Sequence, residues 1–122
     1  MEATHYLVNL VKRELYSEKS LAAILFIVEV TSDCVNSLVK QAGEDPSTVD
    51  EARRSRFSGE AAEHAISEYA RSELPMISTE CHDYQVERIS NPQAITTKAV
   101  PTATVRECRV WLLKRFDFPE QG

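Results

Sequence analysis

Apolar residues recur along the first part of the chain with a spacing typical of helices. In residues 3–16, Leu7, Leu10, Val11 and Leu15 lie on one side of a helical wheel, with spacings such as 7 to 10 and 11 to 15. Residues with this spacing share one face of a helix, which has about 3.6 residues per turn. We therefore predict a first helix over residues 3–16.

The segment Glu18–Gln41 is the most apolar part of the sequence. Its polar residues, among them Glu29, Asp33 and Lys40, fall in one narrow stripe of a helical wheel. A helix with so wide an apolar surface must be covered on more than one side. We therefore predict a long second helix that forms the centre of a bundle or packs against its own copy in a homodimer. The residues expected in this core or dimer contact are Ile24, Ile27, Val35 and Leu38.

Turn and capping residues divide the middle of the chain. Gly43 is predicted to end the second helix, since glycine adopts the left-handed conformation common at helix C-termini. Ser47 or Thr48 is predicted to cap a short helix that runs to about Arg56. An alanine-rich pattern predicts a further helix from residue 58 to about residue 75.

The last third of the chain gives a weaker pattern. Asp83–Ser90 and Gln93–Val100 are rich in Val, Ile and Thr around an Asn-Pro pair, which predicts a short β-hairpin, although the same pair also suits a helix start. Thr104–Phe116 opens with a capping-box pattern and is predicted to be helical, with a strand as the competing interpretation. The sequence thus predicts one domain over residues 1–122. Its fold class is mainly α, a helical bundle, with an α+β fold carrying a small hairpin in the C-terminal half as the alternative.

Composition distinguishes among globular, membrane and secreted classes of protein. The chain has 122 residues and a net charge of −5, and 43% of its residues are hydrophobic, which suits one globular core. Its longest apolar run, Leu21–Val28, is far shorter than the roughly 20 residues of a membrane-spanning helix, and no signal-peptide pattern opens the sequence. The three cysteines, Cys34, Cys81 and Cys108, are an odd number at wide spacings, which favours a reducing compartment. We therefore expect a cytoplasmic protein that makes no membrane contact.

Residues with metal-binding or nucleophilic chemistry are few. Cys81 and His82 are adjacent, and His64 and Cys108 lie elsewhere, but none has the paired spacing of a zinc site. With three glycines the chain has no phosphate-binding loop. We expect no metal, no cofactor and no enzymatic activity, and a small enzyme using a Cys/His pair is the weakest alternative.

An uneven charge distribution indicates the kind of partner. Residues 43–75 hold eight acidic side chains against four basic ones. An acidic surface attracts a basic protein partner more readily than nucleic acid. We therefore predict a noncatalytic protein-interaction module, an inhibitor or accessory regulatory factor of the mobile-element or phage type. The residues expected to contact the partner are Asp50, Glu51, Glu60, Glu63, Glu68 and Trp111.

Two arginine clusters support an alternative function. Arg53, Arg54 and Arg56 form one cluster, and Arg106 and Arg109 belong to the other. On a dimer they would suit a nucleic-acid-binding regulator, because affinity for nucleic acid rests on a local excess of basic residues. We do not favour this alternative, since the surrounding charge is acidic.

Overall fold

A computed structural model describes residues 3–17, 19–75, 78–90 and 100–117. Its elements, in chain order, are β1 (Ala3–Glu14), β2 (Ser20–Thr31), α1 (Ser32–Gln41), α2 (Glu51–Glu73), β3 (Glu80–Ile89), β4 (Ala103–Val105) and β5 (Cys108–Asp117). The strands form one antiparallel sheet in the order β3-β1-β2-β5-β4. The fold is α+β, and the predicted helical bundle is wrong. No helix in the described part of the chain is both long and apolar enough to cross a bilayer.

The first predicted helix is the strand β1. Its apolar residues fit helical spacing, but they also fit a two-residue alternation in which Tyr6, Val8 and Leu10 face the helices. Alternation with a period of two places every second side chain on the same face of a strand. The sequence therefore fits both a helix and a strand. In the structure this segment is a strand because it pairs with β2 and β3.

The second predicted helix is divided between β2 and α1. β2 is a central strand that pairs with β1 along one edge and with β5 along the other. Apolar residues occur on both of its faces, and both faces are buried. A continuous apolar run of this kind fits a central strand as well as a buried helix. The several isoleucine and valine residues of β2 favour the strand, since β-branched side chains pack well on a sheet.

The residues predicted for the core or a dimer contact are enclosed to different degrees. Ile24 and Ile27 are fully buried on opposite faces of β2, and Val35 of α1 is 6% exposed. Leu38 is partly buried against the core. Ile24 and Ile27 therefore offer no surface to a second copy of the chain.

Both helices pack on one face of the sheet and form a single cluster of buried residues with it. The Phe26 ring of β2 meets the Tyr69 ring of α2 with centroids 4.8 Å apart and planes tilted by 55°. Buried alanines along α2, including Ala62 and Ala65, let the helix backbone lie close to the sheet.

The boundaries of α1 follow from its capping residues. The Thr31 hydroxyl accepts a hydrogen bond from the backbone N–H of Cys34 at 3.2 Å, which caps the first turn. Gly43 follows the helix with a φ of +80°, so the predicted helix end at this glycine is confirmed.

One continuous helix replaces the two that the middle of the sequence predicts. The Asp50 carboxylate caps α2 by accepting a hydrogen bond from the Arg53 N–H at 2.8 Å, so the predicted cap at Ser47 or Thr48 is wrong. The predicted break near residue 57 is also wrong, because α2 runs without interruption through Gly59. A glycine inside a helix costs only about 1 kcal/mol, which packing of the alanine face outweighs.

The C-terminal third is built from strands. The predicted helix over Thr104–Phe116 is wrong, and the competing strand is confirmed, because β4 and β5 form a hairpin. Arg106 and Glu107 make its two-residue turn with φ values of 48° and 67°, the left-handed geometry that such turns need. Residues 83–90 lie largely in β3, which pairs with β1, and all but Val100 of the predicted partner strand lies outside the described residues.

A buried tyrosine predicts how the stability of the fold depends on pH. The Tyr69 hydroxyl is buried and has no hydrogen-bond partner among the described residues. Burial raises the pKa of Tyr69 from 10.0 to about 12 and the pKa of Cys108 from 9.0 to about 12. Both groups therefore stay protonated in the folded protein while the unfolded chain loses those protons. We expect the free energy of unfolding to fall as the pH rises from 9.0 to about 12.

Replacement of Tyr69 by phenylalanine separates the contribution of its hydroxyl from that of the Cys108 thiol. Tyr69→Phe removes a buried polar group without a partner, so we expect it to raise the free energy of unfolding by about 1 kcal/mol near neutral pH. The loss of stability above pH 10.0 should also become shallower. Urea unfolding over this pH range measures both effects. Val8→Ala is the control, because it shortens a different buried side chain and should lower stability without changing the slope with pH, and a strongly destabilised Tyr69→Phe would contradict the prediction.

Candidate functional site

The strand β3 forms one edge of the sheet. It pairs with β1 along one side over ten residue pairs, from Glu80 to Ile89, and no described strand pairs with its other side. Ten residues of strand span about 33 Å. The N–H and C=O groups on the outer side of such a strand are available to pair with another chain. β4, at the opposite edge, has only three residues.

Side chains on one face of β3 form a groove with α2. Tyr84 and Val86, which are 41% and 49% exposed, face the helix, where Ile66, Ser67 and Glu63 complete the lining. We call this the β3–α2 groove, and its volume is about 290 Å³. Exposed apolar side chains beside an unpaired strand edge are the combination that binds extended peptide segments.

Hydrogen bonds hold the walls of the groove together. The Tyr84 hydroxyl is hydrogen-bonded to Ser67, and burial raises the pKa of Tyr84 above its usual value while this hydrogen bond acts in the opposite direction. Nearer the start of α2, the Tyr6 hydroxyl lies 2.9 Å from the Ser58 hydroxyl. These contacts tie α2 to the outer strands of the sheet and fix the width of the groove.

A separate polar pocket of about 150 Å³ lies at the start of α2. Arg88 of β3 lines it, two residues after Val86 and on the same face of the strand. Arg54 and Ser55 of α2 lie on the other side. We call this the arginine pocket. The helix-facing side of β3 therefore carries an apolar groove at Tyr84 and Val86 and borders a polar pocket at Arg88.

The acidic residues predicted to contact a partner have different surroundings. Asp50 is the N-cap of α2, and Glu68 is hydrogen-bonded to Arg106. Glu51, Glu60 and Glu63 are exposed and make no hydrogen bond or ion pair with another described residue. Of the five, Glu63 lines the β3–α2 groove and Glu51 lines the arginine pocket.

Trp111, the remaining predicted contact residue, lies opposite Ile27 on the sheet face that points away from the helix-packed core. It is 2% exposed, with the Arg109 guanidinium 5.5 Å from the centre of its ring. Its ring therefore offers almost no surface to a partner.

Three charged side chains form a row across the sheet. Glu29 of β2 is directly opposite His5 of β1 and Arg109 of β5. Its carboxylate lies 2.9 Å from His5 Nε2 and accepts a hydrogen bond from Arg109 Nε at 2.6 Å. Glu29 is 5% exposed, and burial of a carboxylate is costly unless it is paired in this way. The row explains how a glutamate is accommodated in the central strand.

Most guanidinium groups of the predicted nucleic-acid surface are engaged. Arg53 makes a bidentate hydrogen bond with Glu44, and Arg54 donates to Asn36 at 2.9 Å. Arg106 and Arg109 are also engaged, with Glu68 and Glu29. Arg56 alone of the five has no partner among the described residues. The structure thus brings no cluster of unpaired arginines together at these positions.

The adjacent residues Cys81 and His82 do not point into one site. Cys81 and His82 are consecutive strand residues, so their side chains point to opposite faces of the sheet. No group of three or more potential metal ligands occurs among the described residues. Burial raises the pKa values of Cys34 and Cys108, whose thiols are hydrogen-bonded to each other. A raised pKa disfavours the thiolate that nucleophilic catalysis needs.

A second cavity, of about 300 Å³, lies between α1, α2 and the β4–β5 turn. Cys34 and His64 both line it, together with Glu60 and Glu107. The Cys34 thiol is hydrogen-bonded to Cys108, and burial raises its pKa, which argues against Cys34 as an activated nucleophile.

Neither a family model, nor a curated protein, nor a solved structure matches this chain. Inference about its function therefore starts from the geometry of the β3–α2 groove.

The β3 edge and its groove were missed by reasoning from the sequence. The alternating residues of β3 indicated a strand, but the predicted pairing was with residues 93–100, and its pairing with β1 was not foreseen. Which strand lies at an edge depends on pairing between distant segments, such as β1 with β3 and β2 with β5. No local signal in residues 80–89 identifies it.

The charged row predicts strong coupling between Glu29 and Arg109. Arg109→Ala leaves the buried carboxylate with His5 as its partner, so we expect the free energy of unfolding to fall by about 2 kcal/mol. In a Glu29→Gln background, Arg109→Ala should lower the free energy of unfolding by at least about 1 kcal/mol less, because no buried charge is left unpaired. Urea unfolding of the four proteins measures this difference. Arg56→Ala is the control, and equal effects in both backgrounds would contradict the coupling.

Thiol reactivity provides a separate test against a cysteine enzyme. Cys81 is partly exposed, whereas Cys34 and Cys108 are buried with raised pKa values. We expect iodoacetamide to modify Cys81 first and the other two only on unfolding, as measured by mass spectrometry of the labelled peptides. Fastest labelling of Cys34 in the folded protein would instead indicate an activated thiol.

Proposed function

We propose that this protein is a noncatalytic interaction module that binds an extended segment of a partner protein along β3. The observation that carries the proposal is the β3–α2 groove: a ten-residue edge strand whose exposed Tyr84 and Val86 lie beside a helix. An inhibitor or accessory regulatory role suits such a module, since occupying a segment of a partner can block or position it.

Backbone pairing supplies the first part of the interaction. A partner segment that adds to β3 satisfies the outer N–H and C=O groups of the strand, as in other cases of strand addition. This part of the binding is independent of the partner's side chains. It favours any segment that can adopt an extended conformation without proline at the paired positions.

Side-chain contacts supply the specificity. Every second residue of an added strand faces the groove, where Tyr84, Val86 and Ile66 form an apolar surface. We therefore expect apolar residues at alternate positions of the partner segment. Glu63 makes no ion pair with a described residue and lines the same groove, which favours a lysine or arginine of the partner close to it.

Two other functions have less support. A nucleic-acid-binding regulator would use arginines that are mostly paired with carboxylates or with Asn36. A homodimer formed through β3 would use the same edge as the proposed partner segment, and it is therefore a competing outcome of the experiment below.

The test combines peptide selection with two variants, each of which introduces an aspartate, on opposite faces of β3. Extended peptides are selected from a random display library against the immobilised protein, and their affinities are measured by calorimetry. We expect Val86→Asp to weaken binding at least about tenfold, because it places a charge in the groove. Gln85→Asp is the matched control, since Gln85 is the exposed neighbour on the opposite face of β3, and it should change affinity less than about twofold.

Amide hydrogen exchange locates the binding site independently. Outward N–H groups, at alternate residues of β3, should gain protection when the peptide binds. Protection of another surface, or equal effects of the two variants, would contradict the proposal. So would a wild-type protein that elutes as a dimer with those amides already protected.

A further inference from the structure

The arginine pocket has the charge and position to recognise a carboxylate. Two guanidinium groups, of Arg54 and Arg88, and one carboxylate, of Glu51, line this cavity of about 150 Å³. Its formal charge is therefore one positive unit. A single carboxylate balances this charge, whereas a phosphate dianion would exceed it.

The donors of the pocket are partly fixed and partly free. Arg54 Nη1 donates to Asn36 Oδ1 at 2.9 Å, which holds the guanidinium against α1. Arg88 is exposed and makes no hydrogen bond or ion pair with another described residue. Thr4 and Ser55 add hydroxyl groups to the lining. Guanidinium and hydroxyl donors together suit the two oxygens of a carboxylate.

Arg88 forms the side of the pocket nearest the sheet edge, whereas Thr4 and Val30 line it farther in, on β1 and β2. Arg88 follows Val86 by two residues on the same face of β3, a separation of about 7 Å along the strand. A segment with an apolar residue beside Val86 therefore brings the residue two positions further along next to Arg88.

We propose that the arginine pocket binds a carboxylate of the partner segment at Arg88 and thereby fixes the register of that segment on β3. This inference rests on the proposed function. The carboxylate has two possible sources. A segment antiparallel to β3 brings an aspartate or glutamate side chain to Arg88, whereas a segment parallel to β3 can bring its C-terminal carboxylate.

Acetate tests the pocket without any partner segment. In a titration of the full chain followed by nuclear magnetic resonance, sodium acetate should shift the amide signals of Thr4, Ser55 and Arg88 in a saturable way. Arg88→Gln should abolish these shifts. Arg56→Gln, which removes the same charge from an exposed α2 residue, should leave them unchanged. Absence of saturable shifts, or equal effects of the two variants, would overturn the inference.

Inorganic phosphate tests the charge argument in the same way. At equal ionic strength we expect it to bind the pocket no more tightly than acetate. Phosphate binding at least about tenfold tighter would overturn the assignment to a carboxylate.

Peptide variants identify the source of the carboxylate. For a selected peptide, either C-terminal amidation or replacement of its acidic residue by the amide should weaken binding about tenfold. Weaker binding after amidation indicates that the pocket holds the C-terminal carboxylate. Weaker binding after the side-chain replacement indicates that it holds an aspartate or glutamate. Unchanged affinity in both cases would contradict the inference.

The two proposals fail in distinguishable ways. Acetate binding by the wild-type protein without any peptide that binds at β3 would refute strand addition alone. Peptide binding at β3 that Arg88→Gln does not weaken would refute the carboxylate pocket alone.

Discussion

Enclosure of β2 is the constraint on which the rest of the structure depends. A strand with apolar side chains on both faces is stable only when neighbours pair with both of its edges and both faces are covered. β1 and β5 provide the pairing, and the two helices cover the face that carries Ile24 and Phe26. Glu29 is tolerated in this strand because the residues directly opposite it, His5 and Arg109, pair with its carboxylate.

The same constraint places β3 at the edge of the sheet. Since β1 and β5 take the positions next to β2, the other two strands pair outside them. β4 is short, so β3 is the long exposed edge of the described sheet. α2 packs over β2 and β1 through its alanine face, and its side chains Glu63, Ile66 and Ser67 complete the groove. The candidate site therefore follows from strand order and helix placement together.

Local signals in the sequence located some features and misassigned others. Gly43 correctly marked a helix end, and the alanine pattern correctly indicated a helix up to residue 73. Residues 3–31 were misassigned because their apolar positions satisfy helical and strand spacing at once, and the choice depends on pairing with distant segments. Trp111 was expected at a surface, yet it lies opposite Ile27 in the sheet, a pairing that no local pattern reveals.

The acidic residues of α2 illustrate what could be known of the site in advance. A helix with buried alanines must direct Glu60 and Glu63 outward, so their exposure followed from the pattern alone. That Glu63 faces Val86 across a groove did not follow, because β3 is distant in sequence and reaches α2 only through its pairing with β1.

A long exposed edge also requires some protection against indiscriminate pairing, and β3 has less of it at Tyr84 and Val86 than on its opposite face. Gln85 and Glu87 are exposed and polar on the face away from α2, while Tyr84 and Val86 leave the groove face apolar. Charged residues on an edge strand discourage pairing with apolar strands. A segment that is apolar throughout would place apolar side chains beside Glu87, whereas an alternating segment avoids this contact. The two faces of β3 therefore select for an amphipathic extended segment, and backbone pairing without that alternation is disfavoured.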